Sequence, residues 1–225
     1  MILPSQYYEE NLYPLQDGVL NTIARSATDF FLTGGTALSR AYYNHRYSDD
    51  LDFFVHKSSN YDEQVDLIFD KLSAAGFFWD TSENFIRNTG FISLNIHWKK
   101  SDTVLKLDFV NDLVPHFGDI QSSPLFYQVD NIRNILSNKL SAIFRFANKD
   151  IADIREIALH ETIDWSQVIN EARAKEAGLE IPLICEILTT MPKTEFDKVS
   201  WVKKITWETF RADIDKIVYD MMSCA

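Results

Sequence analysis

Hydrophobic and polar residues alternate along two stretches of the chain, which is the pattern of β-strands with one buried face. These stretches are residues 91–98 and 103–110. The two faces of the second stretch are Leu105, Leu107 and Phe109 on one side and Val104, Lys106 and Asp108 on the other. Shorter apolar runs at residues 30–33 and 51–56 are also typical of strands. The first half of the chain therefore predicts a β-sheet.

Helical spacing of the hydrophobic positions occupies most of the remaining chain. The predicted helices are residues 15–29, 36–44, 61–75, 132–147, 150–160, 165–177, 182–190 and 205–222. No strand pattern occurs after Asn131, and the irregular stretch 112–130 contains two prolines and a glycine, as domain boundaries often do. The pattern predicts an α+β fold, with a sheet-containing domain at residues 1–120 and an α-helical domain at residues 121–225.

A glycine pair follows the first predicted strand. Gly34 and Gly35 separate the strand at 30–33 from the helix at 36–44. Glycine permits a tight turn and a close approach of backbone to a ligand, and the next helix offers unpaired N–H groups to an anion. A plain turn explains a glycine pair at least as well when the pair is considered alone. It is a candidate phosphate-binding turn only in combination with other residues.

Three aspartates are candidates for a shared site. Side chains two residues apart share one face of a strand, so Asp50 and Asp52 project together while Leu51 is buried. Asp49 falls in the opposite phase, and Asp108 lies on the polar face of another strand. Carboxylates gathered on one face repel one another without a cation, and two divalent metal ions there would suit phosphoryl transfer. A solvated acidic edge strand is the alternative.

Three charged residues fall on the apolar stripes of predicted helices. Lys139 lies in the apolar arc of the helix at 132–147, and Asp150 and Asp153 share the inward stripe of the following helix. A charge is costly to bury without a partner. A triphosphate would be a suitable partner for Lys139, and a buried ion pair or an extended side chain explains its position about as well. For Asp150, a helix N-cap is equally open.

These segments together resemble a known family. GGTAL, HRYSDDLDFF, KLDF, LSNKLSAIFRF and KDIADI stand in the order found in the bacterial AbiEii/AbiGii toxin family of nucleotidyltransferases. The resemblance extends over roughly residues 30–157. It implies a polymerase-beta-like nucleotidyltransferase domain with a mixed or antiparallel sheet, followed by a C-terminal helical bundle. The predicted domain at 1–120 would then be the catalytic one.

The resemblance also implies roles for individual residues. Asp50, Asp52 and Asp108 would be catalytic and would bind Mg²⁺ or Mn²⁺, with Asp108 as an alternative general base toward the incoming hydroxyl. The residues that would meet the NTP are Gly34, Gly35, Thr36, Ser48 and Lys139. Lys139 would also be catalytic, and Asp153 would be a catalytic or positioning carboxylate.

The activity that the resemblance implies is transfer of a nucleoside monophosphate from an NTP to an acceptor hydroxyl. It implies the toxin of a toxin–antitoxin or abortive-infection module, an antitoxin encoded nearby, and tRNA 3′ ends as one acceptor class. Lys149 stands where the family usually has arginine, which preserves the charge but not the bidentate fork. Candidates for a local basic groove for tRNA are Arg133, Lys139, Arg145, Lys149 and Arg155, although ordinary solvated helix faces carry such charges too.

Two other functions are open on the sequence. The low pI suits an enzyme that modifies a cationic, aminoglycoside-like small molecule, because negative charge would attract that substrate. A catalytically inactive binding module that retains the fold is the second alternative.

Composition and charge limit how the protein could bind nucleic acid and where in the cell it would act. A net charge of −11 in 225 residues argues against binding nucleic acid through a broad basic surface, so any such contact would be local. Cys185 and Cys224 form neither a disulfide framework nor a zinc motif. No signal-like N-terminus and no run of about 18 apolar residues occurs. We therefore expect a cytoplasmic protein without membrane contact.

Overall fold

The computed structural model describes residues 4–99 and 101–224, which form two compact units. Unit 1 holds the described residues up to Tyr42, together with Tyr47–Leu113 and Ile120–Asp130. Unit 2 holds Tyr43–Arg46, Val114–Asp119 and the described residues from Asn131 onward. None of the described helices is long and apolar enough to span a membrane. The division into domains at residues 1–120 and 121–225 stays a prediction.

Within its described residues, unit 1 contains a six-stranded sheet and three helical segments. The strands are β1 (Phe31–Thr33), β2 (Leu51–His56), β3 (Phe77–Phe78), β4 (Ile86–Asn88), β5 (Phe91–Trp98) and β6 (Leu105–Asp112). The first helical segment, α1, is α-helical at Pro4–Tyr7, π-helical at Tyr8–Leu12 and α-helical at Tyr13–Ala24. The other two are α2, formed by Gly34–Thr36 and the π-helical Ala37–Tyr43, and α3 (Tyr61–Ala74).

The sheet has the strand order β1-β2-β6-β5-β3, with β4 also paired to β5. β2 and β6 run parallel, and the other neighbours are antiparallel. The parallel register aligns Phe53 with Phe109 on the apolar face and Asp52 with Asp108 on the opposite face. Phe53 and Phe109 are fully buried, and Phe109 also contacts Phe69 of α3. Burial of each such ring contributes about 1.5–3 kcal/mol, and a one-residue slip would lose it, so the apolar face fixes the register of the two aspartates.

Unit 2 is built from helices. They are α4 (Ile132–Ser141), a 3₁₀ turn (Ile143–Arg145), α5 (Asn148–His160), α6 (Trp165–Lys175), α7 (Ile181–Thr190), α8 (Lys193–Phe196) and α9 (Trp207–Met222). α4 packs against α5 and α6, and α7 packs against α9. The side chains of Asn131, Asp164 and Thr206 cap α4, α6 and α9 by accepting a hydrogen bond from the first turn.

The structure confirms the α+β class and the strands at 51–56 and 91–98, and it shifts the strand predicted at 103–110 to 105–112. The prediction of one helix over 132–147 is wrong. α4 ends at Ser141, and Phe146 adopts a left-handed conformation with φ of 53°. The apolar spacing continues through this break without glycine or proline, so the pattern hid it. The break reverses the chain and allows charged side chains of α5 to face α4.

Candidate active site

Strand register brings two of the predicted carboxylates together. Asp52 in β2 is the Cα partner of Thr33 in β1 and of Asp108 in β6, so the two aspartates lie side by side across a parallel pair. Asp50 directly precedes β2, and its carbonyl accepts a hydrogen bond from the Thr36 hydroxyl. The first turn of α2 is therefore tied to the segment that leads into β2.

The glycine turn lies against Asp52. Gly34 has a φ of +70°, and a Cβ at this position would overlap Oδ2 of Asp52 and lie 3.1 Å from its Cγ. Gly35 follows in the same turn, and both Thr36 and Ser48 are buried. Two features favour glycine at position 34, its backbone conformation and the space that the Asp52 carboxylate occupies.

Lys106 neutralises part of the negative charge on this face. Its Nζ lies 2.6 Å from Oδ2 of Asp108. Partial burial lowers the pKa of Lys106, but the hydrogen bond and charge of Asp108, together with the charges of Asp50 and Asp52, raise it above its ordinary value. All three carboxylates therefore contribute to one negative field.

The other oxygen of Asp108, Oδ1, has no hydrogen-bond partner among the residues that the structure describes. Oδ1 is buried and accepts no hydrogen bond from the described residues, which is costly for a carboxylate. Oxygen ligands of this kind suit Mg²⁺, which is often held by one or two carboxylates together with substrate phosphates. Within residues 4–99 and 101–224, no three His, Cys, Asp or Glu side chains form a metal site by themselves. The residues thus fit a cation shared with a phosphate ligand, and their role as metal ligands stays a prediction.

Lys139 lies in a buried cluster of charges in unit 2. Its Nζ is 2.7 Å from Oδ1 of Asp150 and 2.7 Å from Oδ2 of Asp153. Burial lowers the pKa of Lys139, but the charges of Asp153 and Asp150 outweigh it and raise the pKa. Asp150 is not an N-cap, because α5 begins at Asn148 and Ala147 precedes it. Of the alternatives for Lys139, the structure contains the buried ion pair, and its contact with a nucleotide stays a prediction.

Asp153 is the centre of this cluster and has no exposed side-chain surface. Arg46 donates to it twice, from Nε at 2.7 Å and from Nη2 at 2.8 Å. His45 Nε2 lies 2.8 Å from Oδ1 and must carry the proton, since an ionised carboxylate only accepts. Burial raises the pKa of Asp153, but Arg46 and Lys139, with the hydrogen bonds from His45 and Arg46, hold it well below its ordinary value.

Sequence reasoning missed His45 and Arg46 as members of this cluster. Their side chains are each 2% exposed. The available signal was a basic pair directly ahead of the acidic run at 49–52 and an aspartate on a buried helical stripe that required a cation. Arg46 and Asp153 are 107 residues apart in the chain, so spacing could not connect them.

Four of the five candidates for the predicted basic groove are ion-paired inside unit 2, and the groove stays a prediction. The pairs are Arg133 with Glu171, Lys139 with Asp150 and Asp153, Arg145 with Asp150, and Arg155 with Asp213. Their charges are balanced by carboxylates, which lowers their value for attracting phosphate.

Comparison with solved structures identifies relatives of this fold. JHP933 from Helicobacter pylori aligns with a TM-score of 0.65 at 18% identity, over 96% of this chain and 92% of that one. MenT4, a nucleotidyltransferase toxin from Mycobacterium tuberculosis, aligns with a TM-score of 0.68 at 16% identity, over 98% of this chain and 86% of that one. At these identities the likeness shows the fold. A comparison with curated proteins gave no match.

Comparison with protein-family models shows the family as well as the fold. The model described as nucleotidyl transferase AbiEii toxin, type IV toxin–antitoxin system, matches residues 19–219. This range includes the glycine turn, the candidate aspartates Asp50, Asp52 and Asp108, and the cluster around Asp153. The chain belongs to the AbiEii family of nucleotidyl transferase toxins.

Proposed function

We propose that this protein transfers a nucleoside monophosphate from an NTP to an acceptor hydroxyl and releases pyrophosphate. One observation carries the proposal. Asp52 lies between a glycine turn that a Cβ would fill and Asp108, whose Oδ1 is buried and unpaired within the described residues. A triphosphate at the turn would lie beside two carboxylates, which suits phosphoryl transfer assisted by divalent cations.

Each of these residues then has a chemical task. Gly34, Gly35 and Thr36 would hold the triphosphate through backbone N–H groups, and Ser48 would hold it through its hydroxyl. Asp50, Asp52 and Asp108 would hold Mg²⁺ or Mn²⁺. A divalent cation bound there supplies charge neutralisation and orients the reacting oxygens. The acceptor oxygen bonds to the α-phosphorus, the bond to the bridging oxygen breaks, and pyrophosphate leaves. The hydroxyl proton would pass to Oδ1 of Asp108 where this residue acts as general base and not as a metal ligand, because Oδ1 accepts no hydrogen bond from the described residues.

Lys139 and Asp153 have different tasks in this proposal. The Lys139 side chain is 10% exposed, and its ammonium group, which Asp150 and Asp153 hold in place through Nζ, would contact nucleotide phosphate with its remaining N–H. Asp153 is fully buried and ionised, so it would act as a positioning carboxylate for Lys139 and Arg46.

Gly34→Ala should abolish most activity at a modest cost in stability. The new Cβ would overlap the end of the Asp52 side chain, which can rotate away, so the carboxylate is displaced while the fold survives. The left-handed φ adds a cost of about 1–2 kcal/mol. Urea unfolding and NTP turnover measure the two effects separately.

Gly76→Ala is the matched control, because Gly76 has a φ of +87° and, among the described residues other than its two chain neighbours, none has an atom within 4 Å of the new Cβ. It should lose similar stability and retain activity. Equal activity of the two variants would show that the space beside Asp52 is irrelevant.

We propose that the acceptor is an RNA 3′ hydroxyl, with tRNA as the first candidate, that the protein acts as a toxin, and that a cognate antitoxin is encoded nearby. The family description supports the toxin and antitoxin parts of this proposal. The net charge of −11 favours the second candidate function, modification of an aminoglycoside-like cation.

An acceptor assay separates the two functions. The protein is incubated with each α-labelled NTP and either total tRNA or a panel of aminoglycosides, with Mg²⁺, Mn²⁺ or EDTA. The proposal expects label on tRNA in the presence of a divalent cation. Label on the small molecules alone would show that the acceptor is a small molecule and not RNA. In cells, equal growth inhibition by wild type and by Asp52→Ala would favour an inactive binding module.

A further inference from the structure

The N-terminal helix α1 holds the backbone that leads into β2. Gln16, which has no exposed surface, donates from Nε2 to the carbonyl oxygens of Ser48 at 3.0 Å and of Asp49 at 3.3 Å. Its Oε1 accepts from Nη1 of Arg40 at 3.0 Å. Arginine only donates, so Arg40 fixes the amide orientation and directs both N–H groups of Gln16 at the two carbonyls.

Arg40 is itself held by α1. Its Nη2 lies 2.7 Å from Oδ1 of Asp17, and its guanidinium group lies 4.2 Å from the centre of the Tyr13 ring. Three contacts therefore order a long side chain that would otherwise be mobile, and Gln16 receives a fixed donor.

Tyr8 of α1 makes a second set of contacts with the segment that leads into β2. Tyr47 stacks on Tyr8 with ring centres 4.3 Å apart and an interplanar angle of 12°, and the Tyr8 hydroxyl donates to Oδ1 of Asp49. Residues 47, 48 and 49 are thus each fixed by a residue of α1. Asp50 follows directly, and the Thr36 hydroxyl binds its carbonyl from the glycine turn.

We propose that Gln16 and Tyr8 are positioning residues for the catalytic aspartates, an inference that rests on the proposed function. They touch no reacting group. They act through the backbone of residues 47–49, which determines where the Asp50 carboxylate lies relative to Asp52. Both residues precede the range 19–219 that the family model matches, so this part of the site comes from outside the matched range.

A small displacement of the Asp50 carboxylate is expected to lower the reaction rate strongly. Misplacing a catalytic group by about 1 Å can cost about a hundredfold in rate. Without the Gln16 amide, the buried carbonyl of Ser48 and the half-buried carbonyl of Asp49 lose the hydrogen bonds that Gln16 donates, and the backbone before Asp50 is less restrained.

The test uses Gln16→Met, which keeps the side-chain volume and removes both donors. Asn21→Met is the control, because Asn21 is an exposed amide on the same helix. Mn²⁺ affinity is measured by EPR of free Mn²⁺ in the presence of a non-hydrolysable NTP analogue, alongside kcat, the KM for NTP and the thermal midpoint. We expect Gln16→Met to bind Mn²⁺ at least tenfold more weakly and to lose about ten- to a hundredfold in kcat. Asn21→Met should match wild type.

Wild-type Mn²⁺ affinity and kcat in folded Gln16→Met would overturn the inference. If Gln16→Met does not fold, Tyr8→Phe decides, because it removes only the hydroxyl that binds Asp49. A three- to tenfold loss of Mn²⁺ affinity at an unchanged thermal midpoint supports the inference, and no loss overturns it. Failure of wild type itself to bind Mn²⁺ with the analogue, or to transfer label, would instead reject the proposed function.

Discussion

Asp52→Asn is expected to reduce nucleotidyl transfer by about a thousandfold or more, because charge stabilisation by a metal ion supplies several kcal/mol and each 1.36 kcal/mol is tenfold in rate. Asp52 lies between Gly34 and Asp108, so it adjoins both the turn and the neighbouring strand. The amide keeps the shape of the side chain, and the apolar face that fixes the register is untouched. Steady-state turnover and the Mn²⁺ dependence of activity measure the loss.

Asp49→Asn is the control for this change. Asp49 lies in the opposite strand phase, and its carboxylate accepts from Tyr8. We expect a loss of about tenfold or less, as for a residue that acts only on backbone position. Equal losses at Asp49 and Asp52 would contradict the strand-phase assignment of the metal ligands.

Asp153→Asn is expected to destabilise unit 2 by about 3–5 kcal/mol. Removing this charge leaves the buried guanidinium of Arg46 without its carboxylate and Lys139 with Asp150 alone. The urea midpoint of the full chain, followed by circular dichroism of the helices, measures the effect. Asp215→Asn breaks an exposed pair with Arg211 in the same unit and should cost about 0.5 kcal/mol or less. Similar costs for the two variants would mean that the buried cluster contributes little.

The same cluster predicts a pH dependence. The pKa of Asp153 is depressed, so its contribution is present above the ordinary aspartate pKa of about 3.9 and is lost as pH falls through the depressed value. The pKa of Lys139 is raised, so its contribution is present below about 10.4 and is lost as pH rises through the raised value. The stability difference between wild type and Asp153→Asn should therefore be constant between about pH 5 and pH 9 and shrink in acid. A difference that grows in acid would contradict this assignment.

The sheet and its carboxylates were predictable because strand alternation is a local signal. Alternation placed Leu107 and Phe109 opposite Asp108, and the structure has the same faces. The two-residue period of a strand also placed Asp52 on the polar face of β2, opposite the buried Leu51. The pairing of β2 with β6 in parallel could not be read in this way, because register between strands far apart depends on which apolar residues pack together.

The cluster around Asp153 was predictable only in part. Helical periodicity identified Lys139 and Asp153 as charges on apolar stripes, and burial forces such charges to pair. It could not identify Arg46 as the main partner, nor the turn at Phe146 that brings α5 back to Lys139. Gln16 was overlooked for a similar reason. A glutamine on an apolar helix face carries no charge that demands a partner, so its two carbonyl contacts appear only in three dimensions.

In the proposed reaction, the α-phosphoryl group of an NTP becomes attached to an acceptor hydroxyl, and this transfer depends on Asp52. Parallel reactions with α-labelled and γ-labelled NTP test it most directly, with total RNA as acceptor, Mg²⁺ present, and Asp52→Asn as the negative control. We expect the α-label to become covalently bound to the acceptor and the γ-label to leave as pyrophosphate, and we expect Asp52→Asn to do neither. Transfer of the γ-label to the acceptor, or attachment of the α-label by Asp52→Asn at the wild-type rate, would contradict the proposed reaction.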